Sequence, residues 1–306
     1  FAEIMMYHHV TAIHDHYRKN AALTWIDKPL HAIVNLQTYY DKLGKWSGYP
    51  NAGFMPKESA SSLMSNLGTD LLKGDDAIIF GFSPPVNFSF DASVIYHEYT
   101  HFALGGQVLV DYAVDQYGVD PSPFGLNEGL ADFFACSFLN NPKVGSYALG
   151  DQARDLTRVF KCPDHVTGES HYDGEVAAGA FWAVREILGT KVAENVFWKM
   201  VLSFTATTSF AQAATAAFDE VKKVAPDKAD AVKQIFTDRG LIGCSRLKEH
   251  VDFSSGMMGL APGLPAKTPS TANFADGRPG FSQYHLALQD GTQEVTLSYT
   301  PGGSHG

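Results

Sequence analysis

The sequence has no long hydrophobic run and no excess of basic residues. No stretch approaches the roughly 18 consecutive apolar residues of a membrane span, which excludes a transmembrane helix. Lysine and arginine number 23 against 33 aspartates and glutamates, so the formal net charge is −10. Because binding a phosphate backbone needs a basic surface, we expect no nucleic-acid partner. Internal repeats, a Gly-rich phosphate loop and a nucleophile elbow are also missing from the sequence.

Cysteine is scarce. The three cysteines are Cys136, Cys162 and Cys244, so a single disulfide leaves one thiol over. Cys136 lies in a phenylalanine-rich segment, which is typical of a small core residue. Cys162 and Cys244 both lie in turn-like contexts, and we predict that they form the disulfide. Such a bond suits a secreted, extracellular or periplasmic protein.

The chain has 306 residues, of which 45% are hydrophobic, enough for one large domain or two lobes. It begins at Phe1 rather than at methionine, and no charged segment followed by an apolar core opens it. This indicates a mature or excised piece. The missing upstream part would hold a signal and a pro-segment, and that pro-segment would be an inhibitory partner of a zymogen.

The strongest motif is the stretch HEYTH at residues 97–101. On a helix, a four-residue spacing puts His97 and His101 one turn apart on the same face, where both can reach one ion. Glu98 lies about 100° further round the helix, close enough to touch a water held by the metal. It is therefore placed to act as a general base. Asp91 as the N-cap and a Gly-Gly pair at 105–106 as the end predict that the segment is helical.

An HExxH pattern also occurs on helices with two ordinary histidines, so a third ligand decides the matter. Catalytic zinc usually takes three protein ligands and leaves one position to water. A downstream apolar segment predicts a second helix, with Asn127 as its cap and Glu128 as the third ligand. Asp132 follows one turn later on the same face, where it can support a ligating histidine. Without a metal, Glu128 would be a solvated helix-start carboxylate and Asp132 a surface charge.

The pattern HExxH followed by Asn-Glu-x-x-x-Asp on a downstream helix resembles the gluzincin metallopeptidases of the thermolysin and fungalysin type. The resemblance implies that His97, His101 and Glu128 bind one catalytic zinc ion. It also implies that Glu98 is the base, and that Asn127 and Asp132 support the two histidines.

Further roles follow from the same resemblance. His171, just before an alanine-rich helix, would stabilise the oxyanion of the tetrahedral intermediate. Tyr112 would also donate to that oxygen, with Tyr117 as the alternate. Arg154 would hold a substrate carbonyl, with Arg158 in reserve. The alternatives are that the tyrosines simply pack, that the arginines are solvated and that the histidine is an ordinary loop residue.

The fold implied is α+β, a two-lobed thermolysin-like metallopeptidase domain. Residues 1–110 would form a mixed upstream lobe carrying the HExxH helix, and residues 111–243 a mainly helical lobe carrying the third ligand. Residues 244–306 are rich in Gly, Pro, Ser and Thr before two alternating segments, which predicts a linker and a β-hairpin extension. That hairpin would be the first part of a truncated β module or would pack on the catalytic domain.

Periodicity also predicts local elements. Helices are expected over 1–20, 209–223 and 227–238, and strands over 31–36 and 76–81.

In the thermolysin-like fold, a strand upstream of the zinc helix borders the cleft and receives the substrate as an added strand. Residues 51–54 and 77–80 both compete for that role, and periodicity does not choose between them. Asp111, Asp115 and Asp120 offer oxygen ligands for calcium but do not follow the EF-hand pattern, so calcium stays open.

The sequence therefore predicts a zinc endopeptidase that hydrolyses internal bonds of protein or peptide substrates, with Glu98 as general base. Two alternatives stay open: a gluzincin aminopeptidase, and a catalytically silent zinc-containing binding or adhesion module. The first needs an acidic anchor for the substrate amine near the zinc helix, and the residues around Gly53 offer no such run. The second would not need a base at position 98.

Overall fold

The chain was analysed as a computed structural model. It describes residues 1–40, 44–66, 72, 74–105, 113–115, 118–245, 247–248, 283–284 and 291. Within these residues the helices are α1 (Ala2–Asn20), α2 (Lys57–Asn66), α3 (Ala92–Leu104), α4 (Ser122–Leu139), α5 (Ser170–Leu188), α6 (Thr190–Val201), α7 (Phe210–Val224) and α8 (Ala229–Asp238). The strands are β1 (Leu30–Tyr40), β2 (Lys45–Gly48), β3 (Ala52–Met55), β4 (Asp76–Ser83), β5 (Val86–Asn87), β6 (Ala113–Asp115), β7 (Gly118–Asp120), β8 (Lys143–Val144), β9 (Arg154–Asp155), β10 (Leu247–Lys248) and β11 (Gln283–Tyr284). The α+β class is confirmed.

The predicted local elements agree with these bounds. The helices expected over 1–20, 209–223 and 227–238 correspond to α1, α7 and α8, and the strands expected over 31–36 and 76–81 lie within β1 and β4. No helix in the described part of the chain is long and apolar enough to cross a membrane.

The largest sheet has the order β2-β1-β4-β3, with β5 paired to β4. β4 runs parallel to β1 and antiparallel to β3, so it lies in the interior of the sheet. Its residues 76–81 are all buried, as its continuous apolar run requires. Residues 77–80 therefore cannot be an edge. Among the described strands β3 is the outermost on its side, so of the two candidate segments only 51–54 lies at an edge of the sheet, and its role in binding a substrate stays a prediction.

Helix α4 packs against both α3 and α5, and these three helices carry the candidate site. A cluster of buried aromatic rings joins them, in which Phe133 of α4 contacts Phe181 of α5. The backbones of α4 and α5 approach closely where Gly129 faces Gly174. Buried Tyr17 of α1 forms a 2.5 Å hydrogen bond with Thr100 of α3. The site helix is thus fixed from several sides.

The predicted disulfide between Cys162 and Cys244 is confirmed, with Cα atoms 5.7 Å apart. It joins the loop before α5 to the segment after α8. Cys136 is a buried free thiol, as its aromatic surroundings indicated. Most of the predicted extension 244–306 lies outside the described residues. The pieces of it that are described are short and include β10 and β11.

Candidate metal centre and cleft

Helix α3 begins and ends where its sequence predicts. Oδ1 of Asp91, the N-cap, accepts a hydrogen bond from the backbone N–H of Ser93 at 3.0 Å. Gly105 ends the helix with φ 40°, a conformation that a glycine adopts without strain. His97 and His101 consequently lie one turn apart on one face.

The two histidines meet Glu128 of α4. Nε2 of His97 lies 3.0 Å from Nε2 of His101, and Oε2 of Glu128 lies 3.2 Å from the first nitrogen and 3.5 Å from the second. Zinc bonds of about 2.0 to 2.1 Å at tetrahedral angles place neighbouring ligand atoms about 3.3 Å apart. The three side chains therefore form a group that can hold one metal ion.

The Glu128 carboxylate supports this reading independently. Glu128 is only 6% exposed, and its buried Oε2 has no hydrogen-bond partner among the described residues. Burying a carboxylate oxygen without a donor is costly, unless a cation takes the donor's place. Two imidazole nitrogens and one carboxylate oxygen are a donor set that zinc accepts.

The pKa values of the metal-free group also indicate that it favours a positive charge. Burial lowers the pKa of His97, but Asp132, Glu128 and Glu98 raise it by a larger amount, so that the net value is about 10. Burial raises the pKa of Glu128, but His101 and His171 hold it well below its usual range. Without a metal, the carboxylates thus stabilise a protonated imidazole. A metal cation bound at the same place would be stabilised by the same carboxylates.

Each of the two histidines has a hydrogen-bond partner on α4. Nδ1 of His97 lies 2.7 Å from Oδ1 of Asp132, and Nδ1 of His101 lies 3.1 Å from Oδ1 of Asn127. These contacts leave both Nε2 atoms directed towards Glu128. The expectation that Asn127 caps α4 is wrong, because the helix begins at Ser122. The N-cap is Pro121, and Asp120 just before it accepts a hydrogen bond from the backbone N–H of Ser122 at 2.9 Å.

Arg154 lies on β9, whose pairing with β8 brings its side chain to the site. Its Nε and Nη2 donate to the two oxygens of Asp132 at 2.6 and 2.7 Å. Burial raises the pKa of Asp132, but Arg154 and His97 lower it below its usual range. Arg154 is therefore neither on a helix nor simply solvated. It lines the cleft, and its role in holding a substrate carbonyl stays a prediction.

His171 lies in the first turn of α5, with Nε2 3.3 Å from Oε2 of Glu128. Its ring stacks on His97 with centroids 6.3 Å apart. Glu169 holds this ring, because its Oε1 lies 3.0 Å from Nδ1 of His171. Glu169 also caps α5, accepting from the backbone N–H of Tyr172 at 2.8 Å. Sequence reasoning missed Glu169, although an acidic residue at a helix start was a usable signal.

The candidate metal group opens onto a cavity of about 1330 Å³. Its walls include Glu98, His171, Arg154, the three candidate ligands and residues 51–54 at the sheet edge. Glu98 is buried beside the ligand histidines and faces the same space. Tyr112 and Tyr117 lie outside the described residues, so the choice between them is not tested.

Calcium also stays a prediction. Asp111 lies outside the described residues, and Oδ1 of Asp120 is engaged by Ser122. Within the described ranges, the group that could hold a metal ion is His97, His101 and Glu128.

No family model matches the chain, and no curated protein sequence matches it. The assignment of a function therefore depends on the geometry of the site itself.

Proposed function

We propose that the protein is a zinc-dependent endopeptidase of the gluzincin type with a thermolysin-like two-lobed fold. The observation that carries the proposal is the convergence of His97, His101 and Glu128 on one point at the wall of a large cavity that also contains Glu98. A structural metal site is normally closed by four protein ligands. A catalytic site has three and opens onto space for a substrate, as this one does.

A bound zinc ion supplies Lewis acidity to a carbonyl oxygen and lowers the pKa of a water. Glu98 takes the proton of the attacking water and passes it to the leaving amine, because its carboxylate is buried in the same cavity. His171 donates from Nε2 to the oxygen that becomes negative, while Glu169 holds the opposite ring nitrogen. Tyr112 is proposed as a second donor.

Substrate binding is proposed at the sheet edge. Asn51 and residues 52–54 of β3, the outermost described strand on its side, line the cavity, and unpaired backbone groups there would pair with an extended peptide whatever its side chains. Arg154 would hold a substrate carbonyl. This mode of binding suits cleavage of internal peptide bonds in unfolded or flexible protein segments.

The disulfide supports a proposed location outside the cytoplasm, in an oxidising compartment. Proteins and peptides are the proposed substrates, and a pro-segment is the proposed inhibitor before activation.

The test is hydrolysis of a blocked, internally quenched peptide library by the zinc-loaded protein and by Glu98→Ala. We expect the wild type to cut internal bonds, and the variant to keep one zinc per chain but lose at least about 10²- to 10⁴-fold of its turnover, because a general base contributes this much. Glu3→Gln, on the exposed face of α1, is the matched control and should behave as wild type.

Two other outcomes separate the alternatives. Cleavage restricted to peptides with a free amino terminus would replace the proposal with an aminopeptidase. Zinc binding without cleavage of either peptide class would favour a silent binding or adhesion module.

A further inference from the structure

Glu175 is an acidic residue at the cavity that the proposed mechanism does not use. It lies on α5 one turn after His171 and lines the cavity. The residue is 6% exposed, and its Oε2 is buried without a hydrogen-bond partner in the described part of the chain. Glu128 has the only other side-chain oxygen in this condition among the described residues, and it belongs to the metal group. The lone oxygen of Glu175 therefore points to a cationic partner of its own.

Neighbouring charges leave this carboxylate incompletely neutralised. Arg154 directs its hydrogen bonds to the two oxygens of Asp132, so it acts on Glu175 through its charge alone. Nη1 of Arg158 lies 3.9 Å from Oε2 of Glu175, beyond hydrogen-bond distance, and the Arg158 side chain is 50% exposed. Such a loose, solvated ion pair is easily exchanged for another cation.

The balance of neighbouring groups leaves this carboxylate costly to charge. Burial and the nearby Asp132 raise the pKa of Glu175 to about 7, because they outweigh Arg154, Arg158 and the backbone N–H of Asp155, which favour the charged form. A cation that approached the carboxylate from the cavity would lower the cost of its buried charge.

The surrounding wall suits a long side chain with a charged end. Val144 and Leu149 provide apolar surface in the same cavity, and Tyr172 lies near Glu175 on the same helix. Lysine and arginine bury their methylene stems along apolar surface and keep the charged head at a polar group. We propose that Glu175 selects a lysine or arginine side chain at one position flanking the scissile bond. This inference rests on the proposed peptidase function and adds a substrate class to it.

A merely structural role is the competing explanation. Glu175 interacts with the backbone N–H of Asp155 on β9, the strand that carries Arg154, and could support that strand. Glutamine keeps the shape and a side-chain oxygen for this N–H but removes the charge. Glu175→Gln therefore separates charge recognition from support of the strand.

The experiment begins with a mixed peptide library, digested by the zinc-loaded wild type and analysed by mass spectrometry. The library is then replaced by three quenched peptides that carry lysine, norleucine or glutamate at the enriched position. Norleucine has the stem of lysine without its ammonium group, so it isolates the charge. We expect the order lysine, norleucine, glutamate for kcat/KM.

Glu175→Gln should lower kcat/KM for the lysine peptide by about 10- to 100-fold, as expected for the loss of a charged hydrogen bond. The norleucine peptide should be unaffected, and zinc content should stay at one ion. Arg158→Gln removes the competing cation and should raise the preference for lysine. Equal loss for all three peptides, or a wild type without any basic preference, would overturn the inference and leave the peptidase proposal standing.

Binding gives an independent readout if no peptide is cleaved. Fluorescent forms of the lysine and norleucine peptides are titrated into zinc-loaded Glu98→Gln protein, with and without Glu175→Gln. A lysine preference that disappears with Glu175→Gln supports selection by charge even if the peptidase proposal has failed. Equal affinities for the two peptides contradict it.

Discussion

Asp132 lies against His97 with 2.7 Å between Oδ1 and Nδ1, and it also receives two hydrogen bonds from Arg154. One buried carboxylate thus fixes the tautomer and direction of a ring in the candidate metal group, while an arginine from β9 fixes the carboxylate. The relationship connects three elements, α3, α4 and β9, at the metal group.

Replacing Asp132 with asparagine should weaken zinc binding. We expect Asp132→Asn to raise the zinc Kd by about 10- to 100-fold, because the ring loses the charged partner that orients it. The measurement is competition with a chromophoric chelator, at a temperature where circular dichroism shows the variant folded. Asp151→Asn, on an exposed turn nearby, is the control. An unchanged Kd for Asp132→Asn would contradict the role assigned to this contact.

Zinc binding should release a proton. The pKa of His97 in the metal-free protein is raised to about 10, so at pH 8 the ring is protonated and zinc must displace that proton. We expect close to one proton released per zinc at pH 8, and an affinity that rises about tenfold per pH unit up to about pH 10. Calorimetry in two buffers of different ionisation enthalpy measures the release.

The raised pKa of His97 also makes the free energy of unfolding of the metal-free protein depend on pH. Protonated His97 stabilises the folded state, and this contribution is complete below pH 6.5, the pKa of an unfolded histidine. The contribution is lost as the pH rises through about 10. Asp132→Asn removes a carboxylate that raises the pKa of His97, so the variant should release fewer protons per zinc bound than the wild type. A wild type that releases none would show that His97 is neutral before zinc arrives.

His171 should matter for turnover rather than for zinc. We expect His171→Ala to keep one zinc and to lose about 10²- to 10³-fold in kcat, the usual cost of removing one donor to an oxyanion. His165, which stacks on Phe160 and is not part of the cavity wall, supplies the control His165→Ala. Loss of zinc from His171→Ala would instead make His171 part of the metal group.

The disulfide should carry a large share of the stability. Replacing both cysteines, by Cys162→Ser with Cys244→Ser, should lower the free energy of unfolding by about 2 to 5 kcal/mol, because the bond closes a loop of 82 residues. Thermal unfolding with and without reductant checks this. Reductant should lower Tm for the wild type and have no effect on the double variant. A wild type that is insensitive to reductant under unfolding conditions would contradict the assignment.

Helix α3 could be predicted because its signals are local. An aspartate cap, a glycine end and the spacing of two histidines all lie within 15 residues and agree with one another. The start of α4 was predicted six residues too late, because Asn127 has the side chain of a cap but the N-cap is Pro121. Its oxygen is used by His101 instead, a contact that only the packing of two helices creates.

Other features depend on pairings between distant segments. Whether residues 51–54 or 77–80 form the edge depends on which strand pairs with β1, and both segments are apolar enough for either place. The environment of Arg154 depends on a two-residue pairing of β8 with β9. The unpartnered oxygen of Glu175 likewise depends on burial, which the sequence does not reveal for a charged residue.

The close contact of α4 and α5 gives the last prediction. A Cβ on Gly129 would lie 2.5 Å from the backbone oxygen of Gly174, and backbone in the middle of a packed helix cannot move aside cheaply. Gly129→Ala should therefore lower the free energy of unfolding by about 1 to 3 kcal/mol, although alanine favours a helix more than glycine does. Because α4 carries Glu128 and α3 carries the two histidines, a shift of α4 away from α5 should also change the spacing of the candidate ligands and weaken zinc binding.

Urea denaturation with and without zinc measures both effects. Gly53→Ala is the matched control, because a Cβ there meets its nearest neighbour, Ile79, at an ordinary 3.9 Å. We expect this variant to unfold at the wild-type urea concentration. If Gly129→Ala were as stable as Gly53→Ala and bound zinc as tightly as the wild type, the two helices would not need their glycines, and their spacing would not control the metal group.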